Sequence, residues 1–138
     1  MPKKPSIRRK LSRSEQKNLD VEIRFMAGLV NRDPNYVDAL QVLGNDYSRR
    51  GLVNEQLRVD RQLAQLLPED PIVFYNLACS QSLASEFPSA VESLERAMTL
   101  GWKDFHRLSR DPDLAGLRKH PSYGRLRDRI KRMKVAVR

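Results

Sequence analysis

Apolar residues recur along this chain at the spacing of one helix face, and not in the alternation of a strand. Leu40, Leu43 and Tyr47 follow one another at i, i+3 and i+7, and Phe74 and Leu77 repeat the first step of that series. At 3.6 residues per turn, such positions form a single apolar stripe that packs against another element. The pattern predicts an all-α fold of about seven helices.

The helical pattern repeats with an offset of 34 residues. When residues 37–70 are written above residues 71–104, apolar positions meet apolar ones and small positions meet small ones. The matching pairs are Leu40/Phe74, Leu43/Leu77, Gly44/Ala78, Gly51/Ser85 and Val53/Phe87. A repeat of this length is typical of stacked units, each of which buries its apolar face against the next.

Each repeat unit is expected to be two helices joined by a turn. Gly51 and Ser85 interrupt the stripe, and a second helix should follow each of them, from Asn54 to Leu67 and from Pro88 to Leu100. Pro68 closes the first unit, because proline cannot continue a helix. The two predicted hairpins are residues 35–68 and 71–100.

The order of residues in the first unit carries a family resemblance. The motif is Leu40-x-x-Leu43-Gly44-x-x-Tyr47, followed by Gly51 and Pro68. It resembles the tetratricopeptide repeat, and the likeness extends over residues 14–117. Gln56 and Asp60 depart from it, since the family has small and apolar residues there. The resemblance implies a right-handed solenoid of two full repeats, followed by a terminating segment.

The same resemblance implies a concave groove that receives a peptide of a partner protein. The first helix of each hairpin should line it, with Asp38, Gln41, Asn45, Ser48, Ile72, Tyr75, Asn76, Cys79 and, further on, Arg110. Tyr75 is the expected apolar anchor, and asparagine can both donate to and accept from a peptide backbone. Gln41 and His106 stand where one branch of the family has two lysines that clamp a carboxylate, so that charge is missing. The alternative is a helix face that only stacks on another protomer.

An amphipathic segment precedes the repeats. Leu19, Ile23 and Met26 belong to a stripe that resembles the second helix of a preceding unit, and we expect it to cover the first hairpin. Ser14 is the expected N-cap. Lys17 stands three residues later, where a capping box would need Glu or Gln.

Two proline signals follow the repeats. Asp111 before Pro112 predicts a short helix that ends near Leu117, since aspartate caps a helix and proline suits its first position. His120-Pro121 repeats the signal and predicts a last helix ending near Lys134. Its apolar stripe should pack on the repeats: Tyr123, Leu126, Ile130 and Met133.

The net charge of +9 is concentrated at the two ends of the chain. Residues 1–13 hold six Lys/Arg and no acid, residues 118–138 hold nine and one acid, and the middle holds 11 bases against 16 acids. Residues 1–13 are predicted to be a disordered tail, because they have little apolar surface to bury. The ends could bind nucleic acid or an anionic surface, although no aromatic residue is interleaved with the N-terminal cations for base stacking.

Residue types for catalysis or metal binding are scarce. His106 and His120 fall in different predicted elements, and Cys79 is the single cysteine, so we expect no catalytic residue, metal or cofactor. No apolar run approaches the ~18 residues of a membrane span. One cysteine and no secretory leader indicate a cytoplasmic protein.

The expected function is that of an adaptor or scaffold that binds a partner's peptide in the repeat groove. Two alternatives stay open. One is a nucleic-acid or ribosome-associated factor that acts through residues 1–13 and 118–138. The other is a structural module that self-associates, since two full hairpins are fewer than a repeat array usually needs.

Overall fold

The computed structural model describes residues 10–137, with side chains up to residue 134, and the regular secondary structure of this part of the chain is entirely helical. The helices are α1 (Arg13–Arg32), α2 (Val37–Arg50), α3 (Val53–Leu66), α4 (Pro71–Leu83), α5 (Phe87–Thr99), α6 (Phe105–Arg110), α7 (Ala115–Arg118) and α8 (Tyr123–Val137), with a 3₁₀ turn at Pro112–Leu114. No strand occurs within residues 10–137, so the all-α prediction is confirmed. That part holds eight α-helices instead of about seven.

Left-handed residues close the first helix of each hairpin. Gly51 has φ of +78° after α2, and Ser85 has φ of +61° after α4. In both turns the next amide donates to a carbonyl of the last helical turn, from Leu52 to Tyr47 and from Glu86 to Gln81. The second helices begin and end one residue earlier than the prolines and asparagines suggested, a shift within the ordinary uncertainty of helix ends.

The start of α1 corrects a prediction. Ser12, and not Ser14, is the N-cap, and it forms a complete capping box. The Ser12 hydroxyl accepts from the Glu15 amide at 3.1 Å, and the Glu15 carboxylate accepts from the Ser12 amide at 3.0 Å. The helix therefore includes Arg13, so the predicted disordered tail of residues 1–13 does not extend that far. The prediction of disorder for residues 1–9 concerns residues outside the described part of the chain.

Successive helices pack on one another. The order of contact is α1 on α2, α2 on α3, α3 on α4, α4 on α5 and α5 on α8, while the 3₁₀ turn and α7 lie against α4. Two clusters of buried side chains result. The N-terminal core joins α1 to α4 around Leu40, Leu43 and Leu63, and the C-terminal core joins α4 to α8 around Leu94 and Leu114.

A small residue sets the distance between α2 and α3. A Cβ added at Gly44 would lie 3.3 Å from Cγ1 of Val59, closer than ordinary van der Waals contact. Two positions of α3 that the repeat pattern turns inward hold polar residues. Gln56 and Asp60 are nonetheless buried in this helix.

Polar contacts add to the apolar packing of α1 on α2. Arg50 donates to Asp20 at 2.9 Å, which joins the end of α2 to the first half of α1. Asp46 of α2 is buried and bonds the Glu22 side chain of α1. Burial raises the pKa of Asp46 to about 7, and the hydrogen bond and negative charge of Glu22 add to that rise.

Candidate binding surfaces

The α2 part of the expected groove remains accessible. Asp38 is exposed, and Gln41 and Asn45 are half-buried. Ser48, the fourth expected residue of this helix, is buried. This half of the surface can therefore offer hydrogen-bonding groups from the first three turns of α2, but only part of the expected set.

The α4 part of the expected groove is closed. Tyr75 and Cys79 are 0% exposed and Asn76 is also buried, so these three do not face a partner as the sequence suggested. Ile72, in the first turn of α4, is half-buried. Tyr75 is thus a residue of the C-terminal core, and its proposed role as an accessible anchor is wrong for this conformation.

The chain's own Asp111 segment covers α4. The Tyr75 hydroxyl donates to Oδ2 of Asp111 at 2.9 Å, and the Cys79 thiol lies 3.7 Å from the same oxygen. The other oxygen, Oδ1, accepts from the Asp113 amide at 3.0 Å and caps the 3₁₀ turn. Burial raises the pKa of the Tyr75 hydroxyl well above its usual range, with Cys79 and Asp111 adding to it, so the hydroxyl remains a donor.

A tryptophan completes this packing. Trp102 stacks on Tyr75 with ring centroids 3.9 Å apart and planes inclined by 13°. Trp102 lies 34 residues after Pro68, so it occupies the position in the second unit that a proline occupies in the first. Arg118 donates to the carbonyl oxygens of Leu108 and Asp111 and so secures the covering segment, whereas Arg110 is exposed at the end of α6.

Cys79, Asp111 and Asp113 form the one group of possible metal ligands found among the described residues. Their ligand atoms lie within 4.8 Å of one another, and all three residues are buried. The Asp111 carboxylate, however, already accepts from the Tyr75 hydroxyl and from the Asp113 amide. Helix capping and hydroxyl binding explain why these side chains converge, so their proximity by itself does not indicate a metal centre.

The outer face of α1 is apolar and uncovered. Val21 is 51% and Phe25 is 61% exposed, and they lie one turn apart on the side of α1 opposite Leu19 and Ile23. Phe25 is the most exposed of the large apolar side chains in residues 10–134, and with Val21 it forms an apolar patch that no described residue covers. The signal for this face in the sequence is the spacing of Val21 and Phe25, four residues apart and outside the inward stripe of Leu19, Ile23 and Met26.

The charges on this face have one sign. Lys17, Arg24 and Arg32 are exposed at helical spacings that place them around Val21 and Phe25, and none forms an ion pair with a described residue. The acids of the same stretch are turned toward α2. Asp20 pairs with Arg50, and Glu22 bonds Asp46. The outer face thus combines two apolar side chains with three unneutralised cations.

The basic C-terminal segment divides into two sides. Tyr123, Leu126 and Ile130 of α8 are buried in the C-terminal core. Arg125 and Arg129, on the side toward α5, lie 2.6 and 3.9 Å from the Glu95 carboxylate. The remaining cations of the helix are exposed, so they are available to an anionic partner, and residues 1–9 lie outside the described chain.

No helix within residues 10–137 is both long enough and apolar enough to cross a membrane. No protein-family model matches the chain. Over 83 residues the chain is 31% identical to a protein of Arabidopsis thaliana whose name describes it as chloroplastic, an alignment that covers 58% of this chain and 25% of that protein. The chain therefore spans about a quarter of the length of the relative, and the two proteins share a related segment.

Proposed function

We propose that this chain is a non-catalytic adaptor that binds a partner protein, and that it is a tetratricopeptide-like helical stack. The observation that carries the proposal is the uncovered outer face of α1, with Phe25 61% exposed. Every interior helix of a stack packs on two sides, whereas α1 packs on α2 alone among the described elements with substantial contact. A helix of another protein that seats on Val21 and Phe25 would supply the missing neighbour.

The tetratricopeptide assignment is supported by local geometry. The two hairpins, α2–α3 and α4–α5, lie at the same offset as the sequence repeat. Gly44 allows close approach between the paired helices, and Gly51 and Ser85 turn the chain at equivalent positions. These are the features that a stack of helix hairpins requires.

The partner surface that fits this face is apolar with flanking carboxylates. Burying the exposed parts of Val21 and Phe25 contributes about 2–3 kcal/mol, by the usual value per unit of apolar area. Lys17, Arg24 and Arg32 then attract Asp or Glu on the partner. A second copy of this chain would bring the same cations against each other, so the charges favour a different protein over self-association through α1.

A photo-crosslinking residue tests the proposal. We expect benzoylphenylalanine at position 25 of the full chain to crosslink a partner in native cells. The same residue at position 52 is the control, since Leu52 is also an exposed apolar residue but lies in the α2–α3 turn. Crosslinking from position 25 should disappear when Val21→Ser is added.

Equal crosslinking from positions 25 and 52, or indifference to Val21→Ser, would contradict docking on α1. A crosslinked dimer of this chain as the main product would instead favour the self-associating module. Circular dichroism melts of each variant check that the helices are retained.

We also propose the cytoplasm as the compartment, because the single cysteine, Cys79, is a buried thiol that suits reducing conditions. The name of the Arabidopsis relative places that protein in the chloroplast. Fractionation of the native cells distinguishes the two compartments.

A further inference from the structure

A second open surface lies between α6 and α8, at the other end of the packing order from α1. It consists of two adjoining clefts of about 310 and 290 Å³. Phe105 and Lys134 line both of them, so the two clefts are next to each other. We call it the α6–α8 groove.

The floor of the groove is apolar. Leu108, Tyr123 and Ile130 line the first cleft and belong to the C-terminal core, and Met133 lines the second. Phe105 stands between the clefts and is only half-buried. Leu108, Tyr123 and Ile130 are buried at the base of the groove, so Phe105 and Met133, which are half-buried, supply its accessible apolar surface.

Five cations and no carboxylate line the groove. Arg118 and Arg127 have partners inside the protein, since Arg118 holds two carbonyl oxygens and Arg127 lies 5.1 Å from the centre of the Tyr123 ring. Lys103, Lys131 and Lys134 form no ion pair with a described residue. On the opposite side of α8, Arg125 and Arg129 pair with the carboxylate of Glu95, which belongs to α5. Cations are therefore left unpaired on the side of α8 that lines the groove.

The volumes of the two clefts suit the side chains of a partner protein better than a whole small-molecule ligand. Ligand pockets run from about 300 to 1,000 Å³ and enclose most of their ligand. Each cleft lies near the lower limit of that range and is open to solvent. Two adjoining shallow clefts along a helix pair match the way an amphipathic helix inserts apolar residues spaced by one or two turns.

The charges also disfavour the N-terminal residues of this chain as the occupant. Residues 1–9 carry four Lys/Arg and no acid, so they would meet like charge in the groove. We propose that the α6–α8 groove is a docking site for an acidic amphipathic helix of a partner protein. This site is separate from the outer face of α1, and a chain with both surfaces can join two proteins.

A designed peptide tests the groove directly. The probe is a fluorescein-labelled helix of about 18 residues, some five turns, with leucines along one face and glutamates beside them. Its control is a scrambled peptide of equal composition. Fluorescence anisotropy with the full chain should show binding of the helix and much weaker binding of the scrambled peptide. Binding should weaken between low and high salt, since exposed charges are screened.

Neighbouring lysine and arginine residues supply a matched pair of variants. Lys131 lines the groove, whereas the adjacent Arg132 is exposed and does not line it. We expect Lys131→Glu together with Lys134→Glu to weaken peptide binding about tenfold, since each reversal replaces an attraction by a repulsion. Arg132→Glu should change it less than about twofold.

Val21→Ser should leave peptide binding at the groove unchanged while abolishing crosslinking from benzoylphenylalanine at position 25. This outcome separates a failure of the groove from a failure of the α1 proposal. Methyl NMR signals of Ile130 and Met133 should shift on titration with the helical peptide.

Three results would overturn the inference. One is an effect of Arg132→Glu as large as that of Lys131→Glu together with Lys134→Glu, which would mean unspecific attraction to a basic surface. Another is equal binding of the helical and scrambled peptides. The third is tight, Lys131-dependent binding of RNA or of vesicles containing phosphatidylserine while the peptide fails to bind, which would assign the groove to a different class of partner.

Discussion

Replacing Tyr75 by phenylalanine removes one oxygen atom from the centre of the C-terminal core. The Tyr75 hydroxyl donates to Asp111 at 2.9 Å, and both residues are buried. The ring itself is kept, so its stacking on Trp102 should survive the substitution. The substitution therefore removes the hydrogen bond between α4 and the Asp111 segment and leaves the apolar packing around it in place.

The free energy of unfolding should fall by more than it does when an ordinary hydrogen bond is removed. A hydrogen bond to a charged group contributes about 1.5–3 kcal/mol, because a buried carboxylate that loses a donor cannot turn to water instead. We expect Tyr75→Phe to lower the free energy of unfolding by that amount. In urea this corresponds to a fall in the midpoint of about 1 M, since the dependence of stability on urea is about 1–3 kcal/mol per molar for small proteins.

The assay is urea unfolding followed by circular dichroism at neutral pH. Tyr123→Phe is the matched control, because Tyr123 is buried in the same core and its hydroxyl bonds no described residue. Its expected effect is below about 0.5 kcal/mol. Hydrogen exchange should also show faster exchange at the Asp113 amide, which bonds the same carboxylate.

A double-mutant cycle with Asp111→Asn separates this bond from the rest of the core. The coupling between positions 75 and 111 should exceed about 0.5 kcal/mol, the usual limit for independent sites. A Tyr75→Phe effect equal to that of Tyr123→Phe, or a coupling near zero, would show that the covering segment is held by apolar packing alone.

Further substitutions test α1, α2 and their contact. Asp46 has a pKa raised to about 7, so protonated Asp46 stabilises the fold fully below about pH 4, and this stabilisation is lost as the pH rises through 7. Asp46→Asn should therefore increase the free energy of unfolding at pH 8 and have little effect at pH 4, as measured by urea midpoints. Gly28→Ala should stabilise the protein by about 0.5–1 kcal/mol, since nothing lies within 4 Å of the added methyl. Gly44→Ala should destabilise it by about 1–3 kcal/mol, because the added methyl would crowd Val59. Equal shifts of the two variants in thermal melts would refute the packing argument. Ser12→Ala should reduce stability by about 1 kcal/mol and fray the start of α1, which amide exchange would detect.

Much of the local structure was predictable because it depends on neighbours in the chain. A period of 3.6 residues identifies which residues share a helix face, and glycine or serine after the stripe marks the turn, as Gly51 and Ser85 do. The capping box at Ser12 also depends only on neighbouring residues, although the prediction placed the N-cap at Ser14. Its signal, Glu15 three residues after Ser12, was present in the sequence.

The surfaces available for binding were not predictable in the same way. Periodicity shows that a face is apolar but not which distant segment covers it. Tyr75 and Asp111 are 36 residues apart, and their hydrogen bond depends on the fold of everything between them. The expected groove could not be recognised as half closed without that contact.

The all-α class, the two hairpins and the inward stripes follow from residues within a few turns of one another, so they can be predicted from the amino-acid order. The burial of Tyr75 by the Asp111 segment, the exposure of Phe25 and the open groove beside Phe105 depend on how distant segments pack. Exposure is a property of the whole packed chain. A helix face has the same composition whether another element covers it or leaves it to a partner.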